Sequence, residues 1–191
     1  MARWLDEAER LDLAVYAAIA RSSTPALDRA MRRLSTAADY SKLSIASAAA
    51  LVVAGGSTGR RAAAMGFASV AVTATVVNLV FKPLGRRRRP DRLAQRVPEA
   101  RHVRMPISSS FPSGHAAAAF AFATGVGHVC PAAGVPLYGL ATLVAYSRIH
   151  TGVHFPGDVV VGALAGGALA EATVRALDRG PLHSASRAGS G

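Results

Sequence analysis

Two histidines, one aspartate and several basic residues stand in this sequence at spacings suited to chemistry on a phosphate. Lys82 opens the stretch Lys-Pro-Leu-Gly-Arg-Arg-Arg-Arg-Pro, which closes at Arg89-Pro90. Pro112-Ser113-Gly114-His115 follows, then Ser147-Arg148, with His154 and Asp158 just beyond. Lys82, Arg89 and Arg148 can surround a phosphate dianion, and guanidinium forks match its oxygens. Ser113 and Gly114, at the start of a helix, would offer backbone N–H groups and the favourable end of the helix dipole. Gly114 has no side chain and lets the backbone come close to an anion. His154, with an acid shortly after it, suggests a nucleophile and its orienting partner. Asp158 would hold one ring nitrogen as N–H and leave the other free to attack phosphorus. His115 would then serve as general acid toward the leaving alkoxide.

The elements that must position these groups are apolar helices. The chain has 191 residues, about half of them hydrophobic, with a mean hydropathy of +0.27. Its charge is segregated, as a bilayer requires, because an unpaired charge in hydrocarbon is costly. Five spans are expected, at residues 40–56, 62–81, 113–130, 134–147 and 156–177. The second has twenty residues without a charge, enough to cross the hydrocarbon core. Alternating spans put Lys82, Ser113, Arg148 and Asp158 on one side of the membrane. The architecture expected is an all-α membrane bundle over 40–178. Two amphipathic helices precede it over 1–39, and a disordered tail follows over 179–191. The first amphipathic helix, 3–20, carries Trp4, Leu5, Ala8, Leu11, Val15, Tyr16 and Ile19 at helical spacing. Its charges favour an interfacial position over a span. Thr24-Pro25 reads as an N-cap with proline at the first position of the second helix, which presents Leu27, Met31 and Leu34 on one face. Gly162 and Gly166 form a small-xxx-small pair suited to close helix packing.

The three motifs together resemble the type 2 phosphatidic acid phosphatase (PAP2) superfamily. The family pattern is Lys-x6-Arg-Pro, then Pro-Ser-Gly-His, then Ser-Arg-x5-His-x3-Asp. Lys82–Pro90, Pro112–His115 and Ser147–Asp158 match it without a gap or substitution. The resemblance implies a metal-independent membrane phosphatase acting on a lipid phosphate, with no cofactor. It implies that His154 forms a phosphohistidine, with Asp158 behind it. His115 would protonate the leaving group and later activate water. Lys82, Arg89, Ser113, Gly114 and Arg148 would hold phosphate. His154-x3-Asp158 is not by itself a convincing metal site.

Other residues take plainer readings. Arg86, Arg87 and Arg88 match no family position and are expected to anchor anionic headgroups. His150, at a variable position of the third motif, is read as loop polarity, and Cys130 as an inert apolar residue. One cysteine supports no disulfide framework, and the acidic N-terminus does not read as a signal peptide. The net charge of +11 fits anionic lipid and a phosphate ligand. Few aromatics and no recognised motif argue against nucleic acid. Seventeen of the 22 Lys and Arg fall on the site side if five spans alternate, or fourteen without Lys82, Arg89 and Arg148, against five opposite. The positive-inside rule then faces the site to the cytoplasm of a cell-membrane protein. Such a site would meet phosphatidic acid, phosphatidylglycerol or phosphatidylinositol phosphate, or a polyprenylphosphoryl sugar phosphate. An outward site would suit a polyprenyl diphosphate. A silent lipid-binding scaffold is disfavoured by the presence of both His154 and Asp158, and a soluble haloperoxidase-like role by the apolar spans.

Overall fold

The structure, a computed structural model, describes residues 3–179, and among these it is helical without a strand. The expected tail after Arg179 lies outside the described residues. Eight α-helices follow in order: α1 (Arg3–Arg21), α2 (Pro25–Ala37), α3 (Lys42–Ala54), α4 (Gly56–Val76), α5 (Lys82–Gly85), α6 (Gly114–Val129), α7 (Pro131–His150) and α8 (Pro156–Asp178).

The helix α6 is the centre of the bundle and packs on α4, α7 and α8. Its contacts are made by small residues, because without a hydrophobic drive in lipid the helices gain mostly by close approach. A Cβ added at Gly162 would lie 2.5 Å from the Ser113 carbonyl oxygen, and one at Gly166 would lie 2.2 Å from that of Ala117. The pair therefore seats α8 directly on the α6 backbone, as its spacing suggested. Ala62, Ala63, Phe122 and Val126 form the buried core between α4 and α6.

Five helices (α3, α4, α6, α7 and α8) occupy the places expected for five spans. Two of them meet the length and hydropathy of a full crossing: α4 continued through α5, 30 residues from Gly56 to Gly85, and α8. A straight 30-residue helix is ~45 Å long. The helices α3 and α6 have 13 and 16 residues, fewer than the ~20 a straight crossing takes. The α2 and α3 segments together would make a further, broken span, with axes bent by 68°.

That bend has a local cause. Tyr40 and Ser41 both take left-handed backbone angles, φ 58° and 57°, which side-chain-bearing residues rarely adopt. The corner turns the chain out of α2 and into α3, and leaves Asp39 beside the first turn of α6. A second irregularity lies at the end of α4, where Val77–Phe81 form a π-helical turn before α5. Pro83 has no N–H, and its ring opposes the carbonyl four residues earlier. A widened turn relieves that conflict, and such turns recur at functional positions.

Candidate active site

The widened turn positions Lys82. Its Nζ donates to Asn78 Oδ1 at 2.9 Å and to Ser108 Oγ at 3.4 Å. Across from it is the start of α6, where a Cβ on Gly114 would come 3.6 Å from Lys82 Nζ. Ser113 caps this helix: its Oγ accepts from the Ala116 N–H at 3.4 Å. The Ser113 N–H donates to the Asp158 carbonyl at 2.9 Å, which ties the N-termini of α6 and α8 together.

Asp158 has two structural tasks. At the third position of α8 its Oδ2 accepts from the Phe155 N–H at 3.0 Å, capping the helix. The same oxygen is 3.5 Å from His154 Nδ1 and accepts the Ser110 hydroxyl proton. Ser110 Oγ is itself 3.4 Å from His154 Nδ1. Both groups favour Nδ1 as the protonated nitrogen. On the other side of the ring, Arg89 Nη1 donates to His154 Nε2 at 3.2 Å. His154 is 2% exposed and Asp158 fully buried. Burial pushes the His154 imidazole down to about 4; Asp158 opposes that shift and Arg89 adds to it. The ring is therefore neutral at pH 7, with a lone pair on Nε2 beside a guanidinium.

Arg89 is held by Ser108 O at 2.9 Å, Ser109 O at 3.2 Å and Val153 O at 3.1 Å. These carbonyls fold the 82–112 loop back over the site. Arg148, at the end of α7, is 1% exposed. Its Nη1 donates to Ser35 Oγ at 2.7 Å, while its buried Nε has no partner among the described residues. An unpaired buried guanidinium donor is costly, and a phosphate oxygen would satisfy it. The Arg148 carbonyl accepts from the Val153 and His154 N–H groups, and this turn fixes where His154 projects. His115 Nε2 faces Asp39 Oδ1 at 3.0 Å, and Arg148 Nη1 is 3.7 Å from the same oxygen. A cavity of about 240 Å³ lies between α3, α4 and α6, lined by Lys82, Gly114, His115, Asn78, Thr73 and Ser44 among others.

All eight residues expected from the motifs thus meet at one end of the bundle. Two expectations are corrected. Arg87 is not a free headgroup anchor: its Nη1 is 2.8 Å from Asp158 Oδ1 and 2.7 Å from Asp12 Oδ2, and its guanidinium stacks 4.2 Å from the Phe155 ring centre. His150 is not loop polarity. It is buried in α7, its Nε2 donates to Asp28 Oδ1 at 2.8 Å, and Arg101 Nε meets the same oxygen at 2.8 Å. Thr24 stands at the start of α2 but its side chain makes no capping bond: the hydroxyl donates to Asp28 Oδ1 and its oxygen accepts from Arg101 Nη2 instead. Sequence reasoning missed Asp39, Ser110, Asp12 and Ser35. Asp39 alone carried a usable signal, as an isolated acid at the mouth of an apolar stretch.

The structure gathers three basic groups, two histidines and an aspartate at one end of a helix bundle. The PAP2 superfamily profile matches residues 63–180, and the chain belongs to that superfamily. Among curated proteins it is similar to the decaprenylphosphoryl-5-phosphoribose phosphatase of Mycobacterium tuberculosis, from two strains, 41% identical over 97 residues. That match takes in 50% of this chain and 51% of the relative, so the chain spans about half the length of the curated relatives it matches. Among solved structures it is similar to Aquifex aeolicus LpxE: TM-score 0.68, 27% identity, 86% of this chain and 95% of that one. The Bacillus subtilis PAP2-type phosphatidylglycerolphosphate phosphatase shares the fold, with TM-score 0.66 at 24% identity over 90% of this chain and 86% of that one.

Proposed function

We propose that this membrane protein hydrolyses a lipid phosphomonoester through a phosphohistidine on His154, without a divalent metal. The observation that carries the reading is the setting of the His154 ring. Nδ1 faces Asp158 and Ser110, and Nε2 faces the Arg89 guanidinium in a buried site. Attack by Nε2 on phosphorus breaks the bond to the lipid oxygen, and a proton from His115 goes to that oxygen. Water then attacks the phosphohistidine, with its proton returning to His115 and phosphate leaving. Lys82, Arg89, Arg148 with its unpaired Nε, and the N–H groups at the start of α6 hold the phosphoryl oxygens.

The substrate we favour is a polyprenylphosphoryl sugar phosphate, on the likeness to the mycobacterial enzyme. Phosphatidic acid, phosphatidylglycerol or phosphatidylinositol phosphate, and polyprenyl diphosphate complete the comparison panel. The test is phosphate release from this panel by detergent-purified protein in EDTA, beside His154→Ala. Release by the parent, an acid-labile phosphoprotein on quenching, and neither in the variant are expected. Release that survives His154→Ala would rule out this nucleophile, and release only on adding a divalent cation would rule out the metal-free path.

A further inference from the structure

Among the described residues Asp39 is the one acid bonded to His115, and it belongs to the N-terminal segment rather than to the motifs. It stands at the left-handed corner between α2 and α3, 76 residues away in sequence. Its Oδ1 is 3.0 Å from His115 Nε2 and 3.7 Å from Arg148 Nη1. The same segment supplies Ser35, whose Oγ and carbonyl oxygen both accept from Arg148 Nη1. The end of α2 therefore grips both groups that flank the proposed leaving group. His115 lines the open cavity, and its Nδ1 has no hydrogen-bond partner among the described residues. One ring nitrogen is thus tied to a carboxylate and the other is free.

Resting on the phosphatase reading above, we propose that Asp39 is the positioning residue of the general acid. It accepts the Nε2–H of His115 and so fixes Nδ1 as the nitrogen that exchanges a proton with the leaving group. In the first half-reaction the P–N bond to His154 forms and the P–O bond to the lipid breaks. The Nδ1 proton moves to the lipid oxygen, and His115 is left neutral with Nε2–H still on Asp39. In the second half, Nδ1 takes a proton from water as the new P–O bond forms and P–N breaks. The carboxylate stabilises the doubly protonated ring in both halves, the part an orienting acid plays for a catalytic histidine. The N-terminal helices are then a working part of the active site.

The need for a general acid depends on the leaving group, which gives the test. Asp39→Asn is compared with the parent on two long-chain substrates, an alkyl phosphate and a nitrophenyl phosphate. An alkoxide leaves poorly without a proton, and a nitrophenolate does not need one. The expected result is a loss of kcat on the order of 10- to 100-fold on the alkyl phosphate and under about 3-fold on the nitrophenyl phosphate. His115→Asn should show the same pattern, and the double variant should add little to either single loss. Equal losses on both substrates, or none, would overturn the proposal. If the parent hydrolyses neither compound, the phosphatase reading itself fails and this proposal falls with it. If Asp39→Asn does not fold, the parent decides: nitrogen-15 spectra of His115 at pH 8 should show the Nε2–H tautomer, and an Nδ1–H tautomer would overturn it.

Discussion

Arg87 shares one nitrogen between Asp158 and Asp12, at 2.8 and 2.7 Å. Asp12 in turn accepts from the Gly157 N–H at 2.6 Å. The carboxylate behind His154 is therefore held by a loop guanidinium, which Asp12 of α1 in turn fixes in place. Removing Arg87 leaves a buried carboxylate short of its counter-charge, which is costly. We expect Arg87→Ala to lower kcat about 10- to 100-fold with little change in KM, because its target is Asp158 and not the lipid. Steady-state kinetics on the best substrate will show this. His154 also sets a pH dependence of stability. Its imidazole sits near 4 in the folded protein against 6.5 ordinarily, so between those values the unfolded chain binds more protons. Stability from this group is intact above about pH 6.5 and is lost as pH falls toward 4. Thermal midpoints in detergent should fall across that window, and His154→Gln should remove this part of the slope.

Helix contacts in this protein are of two kinds, and each predicts a different failure. Between α6 and α8 the contact is backbone against backbone at Gly166. An added methyl would meet the Ala117 carbonyl oxygen at 2.2 Å, and helix backbones do not yield as side chains do. Gly166→Ala should destabilise by about 1–3 kcal/mol, seen as a lower unfolding midpoint in detergent. Between α2 and α7 the contact is polar, and Arg101 of the basic loop joins it. Asp28 receives His150 Nε2 and Arg101 Nε, both at 2.8 Å, while Arg101 also donates to the Ile19 and Ser22 carbonyls. Asp28→Ala would strand two buried cation-forming groups and cost about 3–5 kcal/mol. It should loosen the α1–α2 turn to limited proteolysis before the bundle melts. Such a pattern separates a latch on the N-terminal helices from a role in the core.

At the scale of the whole molecule, the charge distribution predicts an orientation. With five alternating helices, 14 basic residues outside the phosphate set fall on the site side against five on the other. We expect the site to face the cytoplasm and the C-terminus to lie across the membrane. A C-terminal reporter that works only outside the cytoplasm should be active, and one that works only inside should be silent. The reverse pattern would place the site on the outer face and turn attention to carrier-lipid diphosphates. Outside the buried clusters, α2 exposes Arg29, Arg32 and Arg33, which suits a helix lying against anionic headgroups.

Much of the site was legible in the sequence because its chemistry depends on residue type and short spacing. Lys82, Ser113, Gly114, His115, Arg148 and Asp158 stand at helix ends, with Arg89 and His154 in the adjoining loops, and helix ends follow from local signals such as Pro131, Pro156 and the limits of the apolar stretches. The bundle was legible for the same reason: hydrophobic length and small-residue spacing are properties of consecutive residues. The partners of those groups were not. Arg87 reaches Asp158 across 71 positions, Asp39 reaches His115 across 76, and Asp12 reaches Gly157 across 145. Nothing local distinguishes Arg87 from Arg86 and Arg88, and although Asp39 stands out as an isolated acid before an apolar run, nothing local says which histidine it meets. What chose among them was the packing of α1, α2 and the basic loop over the end of the bundle. A buried charge must be paired wherever the fold places it, and only the tertiary structure decides which distant residue is close enough to pair.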